Sequence, residues 1–256
     1  MRIYTLLFFY FSSCYFVFPQ NNITVNYQVQ DGSVAMDSVK MKDAPAGVIF
    51  ANQNVLDVFP RLRFTLQVQK GKISNFIEIK NIEMPIRNLP EQITKLIYGY
   101  GRGLVSGGDY YIDTENNLIL NDFDSPDGTH YIISSKADKY KWTLTKETKK
   151  ISGYICYKAI TQKITNNMAG TFTKPVTAWY APSIPLSFGP KDYNGLPGLI
   201  LELQEGTIGL YATKIDLNPK EKIEINKPTK GKLMTQEEYD KSNGASYERA
   251  KNLLGG

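Results

Sequence analysis

At 256 residues and 42% hydrophobic content the chain can bury a full core, and an all-β or α+β unit of this size commonly stands alone, so one domain is expected. Its 30 Lys and Arg against 25 Asp and Glu leave a formal charge of +5 spread thinly, which excludes the clustered basic face of a nucleic-acid binder. The 17 Tyr and 12 Phe favour half-packed pleated surfaces and push the class toward sheet.

Residues 1–20 read as targeting. Arg2 gives a short positive start, Ile3 to Phe11 is an uncharged apolar run, and Ser12, Ser13, Cys14 and Pro19 interrupt the apolar residues after it, as in a signal peptide cleaved near Gln20. The run is too interrupted for a membrane anchor, so no transmembrane span is expected after cleavage. Phe11-Ser-Ser-Cys14 leaves lipidation at Cys14 open as a rival, although cutting there would leave an apolar Tyr15-Phe-Val-Phe18 at the anchored end. The expected domain is then 21–256.

Ile23 to Val29 alternates as a first strand, and 31–60 reads as a looser connection with a short strand around Val48 to Phe50. Leu62 to Lys70 and Lys72 to Ile79 alternate on either side of Gly71, the clearest hairpin signal in the first half. Pro90 followed by Glu91 to Tyr98, with Ile93, Leu96 and Ile97 on one face, predicts a helix over 90–99, ended by the flexible glycine cluster Gly99 to Gly103. Asp109 to Asp113 and Asn117 to Leu120 bracket a polar turn as a second hairpin.

Asn121 to His130 holds the densest carboxylates, with Asp122, Asp124 and Asp127. A calcium loop needs an acidic twelfth position, where Ile133 stands, so the stretch reads as a solvated turn. His130, the single histidine, reads as hydrogen-bonded or exposed at a strand start. Lys141 to Thr145 and Lys150 to Ile160 are expected to form a hairpin around Lys146-Glu-Thr-Lys149, with Trp142 in the core. Cys156, alone once the leader is removed, reads as a small buried hydrophobe, since no neighbouring residue lowers its pKa.

Ile151-Ser-Gly-Tyr-Ile-Cys-Tyr-Lys-Ala159, Thr177-Ala-Trp-Tyr180, Ile184-Pro185, Phe188-Gly-Pro190 and Tyr193-Asn-Gly-Leu-Pro-Gly-Leu-Ile-Leu-Glu202 succeed one another in order. Together they closely resemble the GLPGLI family of exported Gram-negative envelope proteins, over roughly the half of the chain after Lys141. The resemblance implies export to the periplasm or outer membrane and carries no catalytic residues. Physically, Pro182 and Pro185 interrupt ladder bonding after Tyr180, and Gly189-Pro190 and Asn194-Gly195 turn the chain. Leu199 to Leu203 then pairs across 204–207 with Ile208 to Ile215. The corner reads either as architecture or as a binding lip made by Trp179, Tyr180, Phe188, Gly189, Pro190, Tyr193, Gly195, Leu196, Pro197 and Gly198.

Lys220 to Ile225 suggests a short strand and Asn226 to Lys232 a basic linker. Thr235-Gln-Glu-Glu238 is a capping box opening a C-terminal helical segment over 235–254. The expected class is β-dominated α+β, a curved, half-barrel-like antiparallel sheet of hairpins; helices do not alternate with strands as a doubly wound sheet requires. Three functions remain: a non-enzymatic envelope protein binding an apolar molecule or docking on an outer-membrane partner, a hydrolase of peptide or glycan using Asp109, Asp122, Asp124 or Glu202, and a structural subunit of an envelope assembly. Neither a cofactor nor a metal is implied.

Overall fold

A computed structural model of the chain describes residues 22–30, 46–79, 89–125, 128–167 and 170–242. The leader expected over 1–20, with Cys14, and the helical segment beyond 242 lie outside them. The strands are β1 (Ile23–Val29), β2 (Arg63–Gln69), β3 (Ile73–Glu78), β4 (Asp109–Asp113), β5 (Leu118–Asp124), β6 (His130–Ser135), β7 (Thr143–Ile151), β8 (Tyr154–Asn167), β9 (Gly170–Ala181), β10 (Leu199–Glu205), β11 (Ile208–Asp216) and β12 (Lys232–Thr235). They form one open, curved, mixed sheet in the order β12-β6-β5-β4-β3-β2-β1-β11-β10-β9-β8-β7, antiparallel except where β12 runs parallel to β6.

That order forces the curvature. β6 and β7 are ten strand steps apart, about 48 Å in a flat sheet at about 4.8 Å per step. Residues 136–142 alone join them, and eight Cα steps reach roughly 30 Å at most. The two ends of the sheet must therefore curl toward each other.

Alternation explains the core at the sheet centre. Val25, Tyr27, Phe64, Leu66 and Phe76 point inward from β1, β2 and β3, and the Phe64 and Phe76 rings stack at 5.1 Å. The inner face is capped by α1 (Ala46–Asn54), two short 3-10 turns and α2 (Glu91–Val105). Tyr111, Leu120 and Ile132 form a smaller cluster on the opposite face, with Ile225 against it.

Four local expectations are corrected. The region around Val48 is helical, in α1, where no alternation of long runs anchors a strand. α2 runs through Gly99 to Val105, because Gly101 faces Val55 at a separation a side chain could not share: an added Cβ would lie 2.9 Å from Val55 Cγ2. The β7–β8 turn is Ser152-Gly153, both at positive φ, while Lys146 to Lys149 stays in β7 where the ladder shifts register. Residues 220–225 form no strand, and β12 arises instead at the end of the expected linker. The capping box holds: Thr235 N donates to Glu238 Oε2 at 2.7 Å and Glu238 N to Thr235 Oγ1 at 3.2 Å.

Candidate functional site

The corner between β9 and β10 is tied together by its own backbone. Ile200 N donates to Phe188 O, Leu199 N to Ile184 O and Gly195 N to Ser187 O, so each proline-interrupted segment still finds partners. Gly198 lets the chain pass against Ala181: an added Cβ would lie 2.6 Å from the Ala181 carbonyl carbon. The aromatic residues turn inward. Tyr180, Phe188 and Tyr193 are buried with Leu196, Gly189, Pro190 and Gly198; Trp179 is half-buried, and Gly195 and Pro197 are exposed. The residues picked from the motif are thus packed into the corner but divided between two clusters, Phe188 and Trp179 with the main core and Tyr180, Tyr193 and Leu196 with a second one, with little ring surface offered to solvent.

A β-bulge then decides what faces them. Leu199 and Leu201 point to the main core, and a register shift between Ile200 and Glu202 changes the parity of everything after it. Leu203 joins Ile200 in the second cluster with Ala178, Val176 and Tyr193, and Glu205 follows it to that side. There Glu205 accepts from Lys191 Nζ at 2.5 Å and Tyr193 OH at 3.0 Å, with Lys163 Nζ at 3.3 Å and Lys174 Nζ at 3.9 Å. The neighbouring Asp192 Oδ2 accepts from Lys139 Nζ at 2.6 Å and Tyr140 OH at 3.0 Å, both from the short link that crosses between the sheet ends. Tyr140 stacks on Tyr193 at 4.5 Å, and Trp142 Nε1 donates to Asn194 O at 2.8 Å.

This network lines a cavity of about 470 Å³. Its walls come from both ends of the curled sheet, including Tyr110, Ile119, Asn121 and Ser135 on one side and Lys163, Thr165 and Lys174 on the other, with Lys191, Asp192 and Glu205 at the corner. Two wall residues each carry a side-chain oxygen, Asp192 Oδ1 and Asn121 Oδ1, that is buried in the protein without a hydrogen-bond partner, and Asn121 Oδ1 is packed against Gly108. Such groups are costly and call for a donor.

The electrostatics are set by crowding. Burial pushes the Glu205 carboxyl up, but Lys191 and Lys163 outweigh it and hold it at about 2. Burial likewise opposes ionisation of Asp192, and Lys139, Lys163 and Lys191 hold it well below the usual carboxylate range. Burial lowers Lys191, whereas Lys163, also opposed by burial, is raised by Asp192 and Glu205. Tyr193 is raised by burial and by Glu205.

The other candidates lie elsewhere. Asp109 and Asp122 are cross-strand partners, yet Asp109 is held by Arg102 at 2.8 Å and Asp122 by His130 at 2.9 Å. Asp124 takes the other ring nitrogen of His130 at 2.7 Å, and that hydrogen bond raises the imidazole pKa. Glu202 is on the opposite face from Glu205, bound to Lys149 at 2.7 Å. None of these four carboxylates lines the cavity. Cys156 is buried, its thiol pushed up to about 11 by burial. Among the described residues, no group of three or more His, Cys, Asp and Glu is gathered to hold a metal ion, and no helix is long and apolar enough to cross a membrane.

Sequence reasoning passed over Lys139, Tyr140, Lys163, Lys191, Asp192 and Glu205. The one local signal was Lys191-Asp192, a charged pair inside a loop otherwise made of Gly, Pro and large apolar residues.

A family described as "Protein of unknown function (Porph_ging)" matches residues 169–202, which run from the start of β9 into β10 and contain the whole corner. No functionally curated protein matches the chain. Two solved structures of PNGF-II are similar: one in space group C2 with TM-score 0.45 and 14% identity, covering 84% of this chain and 30% of that one, and one in P21 with TM-score 0.47 and 15% identity, covering 87% and 32%. The chain spans about a third of the length of these structures. Over 169–202, then, the chain is similar to a family of unknown function, and the matched segment supplies Lys174, Lys191 and Asp192 to the cavity wall.

Proposed function

We propose that this chain is exported to a Gram-negative cell envelope, as its resemblance to the GLPGLI family implies, that it acts there as a non-catalytic binding module, and that its working site is the cavity at the corner. The observation that carries this reading is the cavity itself, about 470 Å³ and walled by the paired charges of the corner, inside the range of about 300–1,000 Å³ usual for ligand pockets. The walls bear four lysines, three carboxylates and the amides of Asn121 and Gln236, so a polar small molecule fits them and the apolar ligand expected from the sequence does not.

Hydrolysis is disfavoured by the same charges. A glycosidase needs one carboxyl that keeps its proton near neutrality. The lysines hold both Asp192 and Glu205 ionised.

Native mass spectrometry of the protein purified from its own envelope tests the reading. A small polar species should accompany the folded chain and be lost on unfolding; a chain that consistently arrives with no added mass would remove the case for a binding module.

Docking on an envelope protein is the second reading, favoured by a separate observation. β7 and β8 expose Leu144 and Ile155, large apolar side chains that lie away from the cavity lining. β7 is an open edge but carries Lys146, Lys149 and Lys150, which discourage strand addition, so contact would be through side chains. Leu144→Asp combined with Ile155→Asp, neither of which lines the cavity, should then release the protein from its envelope fraction.

A further inference from the structure

We infer that the open edge of the sheet, β7 with the β8 residues beside it, seats on a bilayer leaflet of anionic phospholipid. This goes beyond the cavity reading and gives the exposed face of the docking reading a lipid partner in place of a protein one. Charge is the first observation. β7, β8 and β9 carry Lys146, Lys149, Lys150, Lys158, Lys163 and Lys174 against Glu147 alone, and six against one leaves five positive charges, as many as the formal +5 of the entire chain. Antiparallel pairing of the three strands gathers these lysines at one end of the sheet. Some are neutralised: Lys149 by Glu202 at 2.7 Å, Lys158 by Glu147 at 2.9 Å and Lys163 by Glu205 at 3.3 Å. Lys146 and Lys150, with Lys141 just before β7, are exposed and make no ion pair among the described residues. Three free ammonium groups thus lie along a strand whose outer side is open.

Apolar surface lies among those charges. The register pairs Lys150 with Ile155, Thr148 with Tyr157 and Leu144 with Ala159, so Leu144, Lys150, Ile155 and Tyr157 project to the same face, and all four are exposed. Aliphatic side chains flanked by lysines, with an exposed tyrosine, are what a membrane interface receives. Leu144 and Ile155 enter its apolar boundary, and the lysine stems lie along that boundary with their ammoniums among the phosphates. A protein partner fits less well. Stable protein interfaces take about 20–30 residues a side with matched shape, whereas this face offers three large apolar side chains and free charge of one sign. A leaflet supplies diffuse negative charge without a shape to match, and each free lysine near it adds about fivefold in affinity.

The test is vesicle co-sedimentation of the protein purified from its own envelope, with vesicles of phosphatidylcholine alone and of phosphatidylcholine mixed with phosphatidylglycerol. Binding to the phosphatidylglycerol vesicles should be about tenfold or more tighter, and it should fall away in about 1 M salt, which screens charges beyond about 3 Å. Lys146→Gln with Lys150→Gln should weaken it by about 10–30-fold. Leu144→Asp with Ile155→Asp should abolish it, folding being checked by circular dichroism. Lys214→Gln with Lys220→Gln, on and after β11 away from this edge, should leave it unchanged. Equal binding to both kinds of vesicle, or binding that the β7 lysines do not affect, overturns the inference. If neither vesicle binds while Leu144→Asp with Ile155→Asp still frees the protein from its envelope fraction, the lipid inference falls and docking on a protein stands; if neither happens, both fall.

Discussion

Glu205 is a carboxylate whose fate depends on its neighbours. It is 8% exposed and its pKa, ordinarily 4.5, is held at about 2 by Lys191 and Lys163. A carboxyl depressed in the folded state stabilises the fold above its unfolded pKa and loses that contribution as pH falls through the folded value. Stability should therefore drop between about pH 4.5 and pH 2, by an order of about 3 kcal/mol for this group. Glu205→Gln should lower stability at neutral pH by about 3–5 kcal/mol, since Lys191 is left buried without its carboxylate. It should also flatten the acid slope, and urea unfolding at stepped pH measures both. A variant with an unchanged slope would show that the charge network contributes nothing to folding. In the sequence Glu205 reads as a turn residue beside Gly206, and Lys191 as a loop residue. Their encounter across 14 positions is invisible to any local pattern.

Individual elements were far more legible. The hairpins β2–β3, β4–β5 and β10–β11, the helix start at Glu91 and the Thr235 capping box arise from alternation and turn chemistry, which act over a few residues. The failures share a cause. The glycines of α2 read as a helix end because propensity disfavours them, and packing against Val55 retained Gly101. The β7–β8 turn was misplaced because polar Lys146 to Lys149 looks like a turn, whereas Ser152-Gly153 can adopt the positive φ that a tight hairpin needs. Two glycines should respond with opposite signs to alanine. Gly198→Ala drives a Cβ into the Ala181 carbonyl and should cost about 3 kcal/mol, while Gly99→Ala, on the exposed face of α2 with nothing within 4 Å, should stabilise by about 0.5–1 kcal/mol. Thermal melting of the two variants separates these outcomes; a tolerated Gly198→Ala would mean that the corner is loose.

Across the whole molecule, the curl of the sheet separates two surfaces with different character. One is the charged cavity; the other, away from it at the β7–β8 end, carries Ile155 at 63% and Leu144 at 53% exposure. Aspartate at both positions should leave the melting temperature nearly unchanged, because exposed substitutions away from packed features usually stay within about 0.5 kcal/mol. Envelope attachment, read by fractionation, should fall. Retained attachment in the folded double variant would remove the docking reading.

The sequence by itself determined the β-rich class, most strand positions, the helix after Pro90 and the crowding of Gly, Pro and aromatics between β9 and β10, because period-2 burial and turn preferences are local properties of a few adjacent residues. Tertiary structure alone decided that β1 pairs with β11 across nearly the whole chain, that a bulge after Ile200 turns Glu205 toward Lys191, and that the short 136–142 link draws the sheet ends together. Those outcomes depend on strand order and on which face each strand presents. Only when the sheet curls do Lys139 and Asp192, 53 residues apart, meet around one cavity.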